Sequence, residues 1–287
     1  MRLGVVLTGA GVHGAAGAGV LMELWRRQME PYAVCGLHAG AWPAALYAAG
    51  ADENGFNQAL AQAQGLGTRL LKRRLIPSIR SGQMRTLLSG SAALERLLTA
   101  HTGGRILALC DRRVVIPVRC MRTGQHLAFS SAGFTAGEGT LVTMQASAAF
   151  SARAAMGIPP FLSPVSFMGS RLLPVSDTAY ACRLLFAMGV QRVLVVEGMP
   201  SVRSEPDMLD LAAACFTGNG QDLPEGAVRL RIPLPEGVGA LALNQVQRCA
   251  QAGQKTAELE LDRLFETMGM AFCRVLPFQK RVLSGPR

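Results

Sequence analysis

Leu3-Gly4-Val5-Val6-Leu7-Thr8-Gly9-Ala10-Gly11-Val12-His13-Gly14 opens the chain with a short apolar run that breaks into a glycine loop. Such a run, bounded by turn residues, reads as a buried strand. Ala15 to Gln28 follows with Val20, Leu21, Leu24 and Trp25 at helical spacing. Tyr32-Ala33-Val34-Cys35 reads as a second strand and ends in Gly36-Leu37-His38-Ala39-Gly40. An alanine-rich helix is expected from Ala41 to Ala49, stopped by Gly50. Strand, loop, helix and strand in this order predict a βαβ unit and a parallel sheet.

Working outward, residues 65 to 90 are basic and broken by Gly and Pro, which suggests a lid or connecting region. Ala92 to Ala100 reads as a helix, and Val114–Cys120 and Leu127–Ser130 as strands. Val142 to Met156 reads as a small-residue helix or turn ended by Pro159-Pro160. Leu172 to Val175 leads into Asp177, a helix spans Tyr180 to Met188, and Arg192 to Glu197 is another buried strand. A strand at Val228–Ile232 and a long amphipathic helix from Leu243 to about Phe272 complete the pattern. No internal repeat or long linker interrupts it, so one domain over residues 1–287 is the expectation.

Composition excludes several classes. The 287 residues are 49% apolar and 17% charged, too hydrophobic for a disordered chain. The stretch Leu3–Met22 carries no charge, but its many glycines make it a poor spanning helix, and strand, loop and helix explain it better than a signal peptide. The net charge is +10, and all but three of the basic residues are arginines. The run Arg69, Lys72, Arg73, Arg74 could meet an anionic membrane surface, although an arginine-rich background spread over a solvated surface is the better account of the charge. No zinc-finger, RNA-binding or basic-heptad signature supports nucleic acid as a partner. Seven cysteines without a C-x-x-C pair argue against a disulfide framework or structural zinc and for a reducing cytoplasm. No metal or cofactor is expected.

Two glycine motifs carry the chemistry. Gly9-Ala10-Gly11-Val12-His13-Gly14 matches G-x-G-x-x-G between a strand and a helix, the dinucleotide-binding pattern. The acidic residue that should end the second strand is missing, because that strand ends in Val34-Cys35-Gly36. Gly36-x-His38-x-Gly40 has the form of a nucleophile elbow, in which flanking glycines permit a tight strand-to-helix turn and the central side chain is thrust above the sheet. The central residue is a histidine.

The two motifs in this order resemble the patatin-like phospholipase family, which pairs a G-G-G-x-R-G oxyanion loop with a G-x-S-x-G elbow. Ala146-Ser147-Ala148-Ala149-Phe150 and Ile158-Pro159-Pro160-Phe161-Leu162-Ser163-Pro164-Val165 are similar to that family's segment before its catalytic Asp. Pro174-Val175-Ser176-Asp177-Thr178-Ala179 falls where the family has its D-G-G or D-G-A turn. The resemblance covers about residues 3 to 200. It implies an α/β three-layer fold, a mainly parallel sheet with helices on both faces, and His38 at the nucleophile position with Asp177 at the dyad position.

Departures fall on all three functional motifs. His38 replaces the serine, Ala10 and His13 replace the loop's middle glycine and its Arg or Lys, and Thr178 replaces the glycine after the Asp. His38 is then a filler of a dead elbow, a general base held by Asp177, or a nucleophile. Asp177 is either the surviving half of a dyad or a helix N-cap. His13 lies either at the pocket mouth or in solvent. Ser147 reads as packing or capping. The implied function is a patatin-like scaffold that has lost Ser–Asp hydrolysis and binds a lipid or acyl group or a protein partner. The alternatives are an acyl hydrolase using His38 as base and a dinucleotide-binding protein. The expected location is cytoplasmic and peripheral to a membrane.

Overall fold

Alternate residues of the central strands face two separate apolar layers, and this period of two fixes the architecture. The computed structural model describes residues 1–72, 89–137, 139–159, 162–200, 207, 209–211 and 222–270. Its strands are β1 (Leu3–Leu7), β2 (Ala33–Gly36), β3 (Arg113–Cys120), β4 (His126–Ser130), β5 (Thr140–Thr143), β6 (Ser166–Phe167), β7 (Ser170–Pro174), β8 (Arg192–Met199) and β9 (Ala227–Pro233). Its helices are α1 (Ala15–Arg26), α2 (Ala41–Ala48), α3 (Glu53–Lys72), α4 (Ser89–Thr102), α5 (Ala148–Ala155), α6 (Thr178–Ala187) and α7 (Val246–Thr267).

The main sheet runs β5-β4-β3-β2-β1-β8-β9. β1 pairs in parallel with β2 and β8, β2 with β3, and β8 with β9. Leu3, Val5 and Leu7 of β1, Val114, Ile116 and Val118 of β3, and Leu194 and Val196 of β8 enter one layer, shared with α1, α2, α3, α4, α5 and α7. Val6, Cys35, Val115, Val193 and Val195 enter the other, covered by α6 through Ala181, Cys182, Leu184 and Leu185. Helices therefore cover both faces of a mainly parallel sheet, as the resemblance implied. Each fully buried Leu or Val contributes about 1.5–3 kcal/mol, so these layers hold most of the folding energy.

Most expected elements stand within a few residues of their predicted bounds. Two segments differ. Residues 142 to 156 are not one helix: Thr140-Leu141-Val142-Thr143 pairs in parallel with β4, and α5 begins only after Ser147, whose Oγ accepts the Phe150 N–H at 3.1 Å. The β-branched run favours the strand, and the serine caps the helix. The expected lid at 65–90 begins inside α3, which buries Phe56, Ala59 and Leu60 and runs to Lys72. The lid beyond it, residues 73–88, lies outside the described residues.

The arrangement of β3 decides where the site forms. β2 occupies one edge of β3 only as far as Val115, opposite Cys35. Further along that edge β7 takes over in the antiparallel sense, with Pro174 opposite Val118. β4 holds the other edge throughout. The chain leaving β7 is thereby delivered to the carboxyl end of β2.

Helices α1 and α7 cross in close contact through two glycines. A methyl at Gly19 would overlap the Ala250 carbonyl, and one at Gly253 would overlap the Ala16 carbonyl. Both obstacles are backbone, so a side chain could fit only if the helices separated. Gly19→Ala is expected to lower unfolding free energy by about 1–3 kcal/mol. Gly253→Ala should do the same, and the double variant should cost less than the sum because one separation relieves both clashes. Urea denaturation of the three variants measures this.

Candidate active site

The elbow is built by close approach. At Gly36 an added methyl would lie 2.5 Å from Ala41 Cα, and at Gly40 it would overlap the Leu7 carbonyl, so only glycine fits at either position. Leu37 is extended, donates its N–H to the Leu7 carbonyl at 2.9 Å, and is followed by His38 at φ +49°. A non-glycine residue in this left-handed region costs about 1–2 kcal/mol, a strain histidine tolerates better than most. The Gly9 carbonyl accepts the Ala39 N–H at 3.0 Å and ties the elbow to the glycine loop. His38 stands at a strand-to-helix turn at the carboxyl end of β2, as expected, and is only 4% exposed.

The chain arriving from β7 places Ser176 on the imidazole. His38 Nε2 and Ser176 Oγ are 2.6 Å apart, while His38 Nδ1 is buried without a partner. Ser176 itself is half-buried. The carboxylate of Asp177 is engaged elsewhere: one oxygen accepts the Tyr180 N–H at 2.7 Å and caps α6, and the other lies 3.5 Å from Arg183. Of the two readings of Asp177, the geometry displays the helix cap. Thr178 is the first residue of α6, and its φ is not positive, so its branched side chain meets no strain. Burial pushes the His38 imidazole down to about 4, because the charged ring is desolvated. The ring is therefore neutral at pH 7.

The glycine loop is covered as well. Val12 donates its N–H to the Ala240 carbonyl at 2.9 Å, so this amide of the loop is already taken. At Gly11 (φ +49°) the approach is so close that a methyl would overlap the Ala240 carbonyl. His13 is 2% exposed and far from solvent: Nε2 donates to the Val238 carbonyl at 3.1 Å, and Nδ1 faces Asp210 Oδ1 at 3.5 Å. Asp210 accepts the Ala240 N–H at 3.2 Å, and Asp207 accepts the Leu241 N–H at 2.6 Å. Ile158, Leu209 and Ala240 make a small apolar cluster with Ala10 beside this strap. Gly14 packs directly on Ala39, where a methyl would sit 2.5 Å from its carbonyl carbon. The loop thus turns its face to the elbow and the strap, an arrangement that does not favour a pyrophosphate lying across it.

A family model for patatin-like phospholipases matches residues 5–181. The chain belongs to the patatin-like phospholipase family. No curated protein matches the sequence. Among solved structures, VipD from Legionella pneumophila is 13% identical with a TM-score of 0.48, over 91% of this chain and 67% of that one. ExoU, a type III effector of Pseudomonas aeruginosa, is 16% identical with a TM-score of 0.43, over 91% of this chain and 53% of that one. Human GIVD cytosolic phospholipase A2, solved with a fluorophosphonate inhibitor, is 12% identical with a TM-score of 0.44, over 94% and 60%. This patatin-like chain spans about half to two thirds of these neighbours' lengths.

Ser176 and the strap at 238–241 escaped the sequence reading. A hydroxyl one position before Asp177, in a chain whose elbow carries a histidine, was a usable signal for Ser176. For the strap, only the run Gly237-Val238-Gly239-Ala240 hinted at a backbone able to approach closely. Among the described residues no three His, Cys, Asp or Glu side chains come together as metal ligands would, and no helix is long and apolar enough to cross a membrane.

The depressed pKa of His38 sets a stability profile. Unfolded histidine titrates near 6.5, so between that pH and about 4 the unfolded chain binds a proton the folded chain refuses. Stability from this group is complete above pH 6.5 and is lost as pH falls through 4, to a limit of about 3 kcal/mol at 1.36 kcal/mol per unit. His38→Asn, which also accepts the left-handed conformation, should flatten that slope. Denaturant midpoints measured from pH 7 to 4 on both proteins test it; equal slopes would place the proton uptake elsewhere.

Proposed function

We propose that this patatin-like chain binds a lipid acyl group or acyl ester above its elbow and does not hydrolyse it by the family's Ser–Asp route. The observation that carries this reading is residue 38: the elbow scaffold is complete, and its apex is a neutral, buried imidazole with no hydroxyl. The engaged Val12 amide supports it further, since removal of one oxyanion donor typically costs 10²–10³ in rate. The family match supports the lipid class of ligand. We further propose that the chain meets anionic membranes peripherally, through the basic run at Arg69, Lys72, Arg73 and Arg74. Arg69 and Lys72 close α3, while Arg73 and Arg74 lie outside the described residues.

A second reading, an acyl hydrolase with His38 as general base, is favoured by the same neutral ring, because only an unprotonated imidazole can accept a proton. That base would work without a carboxylate partner, so slow turnover is the most it offers.

The two readings part on simple assays. A fluorescent long-chain fatty acid should bind the purified protein and be displaced by unlabelled fatty acid. Hydrolysis of a chromogenic short-chain ester should stay near background in the wild type and rise less than tenfold in His38→Ser, because the Asp177 carboxylate is committed to its cap. Full esterase activity in His38→Ser would mean that only the nucleophile had been lost, and wild-type turnover abolished by His38→Ala would favour the second reading.

A further inference from the structure

We propose that the nucleophile and its partner have changed places across this cleft, so that Ser176 receives the acyl group and His38 takes its proton. This inference rests on the reading that an acyl ester enters the cleft, and it names the chemistry that follows there. In the family, as the motifs imply, the elbow supplies the hydroxyl and the opposite turn supplies the proton acceptor. Here the elbow supplies a neutral imidazole, and the opposite turn supplies a hydroxyl in hydrogen-bond contact with it at 2.6 Å. The exposure of the two groups suits these roles: His38 is 4% exposed, and Ser176 is half-buried.

The arrangement follows from the fold. Gly36 and Gly40 hold residue 38 at φ +49°, which fixes where the ring points. β7, seated on the edge of β3 beyond β2, fixes where residue 176 arrives. Nδ1 has no partner, so no second bond locks the ring in one tautomer, and the proton can reside on Nδ1 while Nε2 accepts from the Ser176 hydroxyl. In the transfer step the Ser176 Oγ–H proton passes to His38 Nε2 as Oγ bonds to the ester carbonyl carbon. The carbonyl-to-alkoxide bond then breaks, and the leaving alkoxide takes the proton back from Nε2, leaving an acyl-Ser176 ester and a free alcohol. Water attacks that ester by the same exchange in reverse. Two features keep the step slow: no carboxylate steadies the imidazolium, and the Val12 amide is held by Ala240. The expected signature is stoichiometric modification with little turnover.

The test uses the intact chain and a long-chain alkyl fluorophosphonate. Oγ displaces fluoride from phosphorus, the proton leaves through His38, and the adduct is stable enough for mass spectrometry. The expected result is one phosphonyl group per chain, mapped to Ser176, absent in Ser176→Ala and formed at least tenfold more slowly in His38→Asn. Far-ultraviolet circular dichroism and fluorescent fatty-acid binding are measured on the same samples. An unmodified Ser176 in the wild type overturns the proposal, as does an adduct formed at the same rate in His38→Asn. Fatty-acid binding without modification would sink the transposed pair and leave the acyl-binding reading standing, whereas loss of both would end the two together.

Discussion

The whole site depends on one steric constraint, the contact of the elbow glycines with backbone on either side. Gly36 lies against Ala41 and Gly40 against the Leu7 carbonyl, so strand β2 and helix α2 meet at a distance that no side chain permits. Residue 38, between them, is left with the left-handed conformation and a buried position above the sheet. What occupies that position inherits the geometry whatever its chemistry. A serine there is a raised hydroxyl. A histidine there is a raised, desolvated base whose neutral form is enforced by burial.

That constraint acts on backbone, so the fold does not depend on which side chain stands at residue 38. The energy holding the elbow lies in the two apolar layers and the hydrogen bonds from Leu37 and Ala39, and none of these involves the side chain of residue 38. The imidazole finds its one partner in Ser176 because the edge of β3 is shared end to end by β2 and β7. Any residue two places after Pro174 would be carried to the same neighbourhood. The site is thus a property of strand registry first and of side-chain identity second.

The sheet and its layers were legible in the sequence because their signals are local: apolar runs of strand length, helical spacing in α1, and glycines where the backbone must turn. The elbow was legible for the same reason, since both its glycines and its central residue lie within five positions. Ser176 and the strap were not, because each acts through a contact far away in sequence. Ser176 meets a ring 138 residues earlier. Ala240 meets an amide 228 positions before it, and the Asp210 and Asp207 carboxylates accept the Ala240 and Leu241 N–H groups there. Asp177 was legible in both of its readings, and the helix that begins at Thr178 supplies the Tyr180 N–H that its side chain accepts.

His13 shows how one substitution can change the work of a loop. A family Arg or Lys at this position would carry a fixed charge, while an imidazole of modest length can be buried, and here it is. Once buried, its Nε2 meets the Val238 carbonyl and its Nδ1 faces the Asp210 carboxylate, and both groups belong to the segments that bring Ala240 onto the Val12 amide. Burial of His13 and closure of the glycine loop are therefore one event described from two sides. The Ala240 carbonyl thereby occupies the Val12 amide, and the face of the loop that meets the elbow is closed by the chain itself.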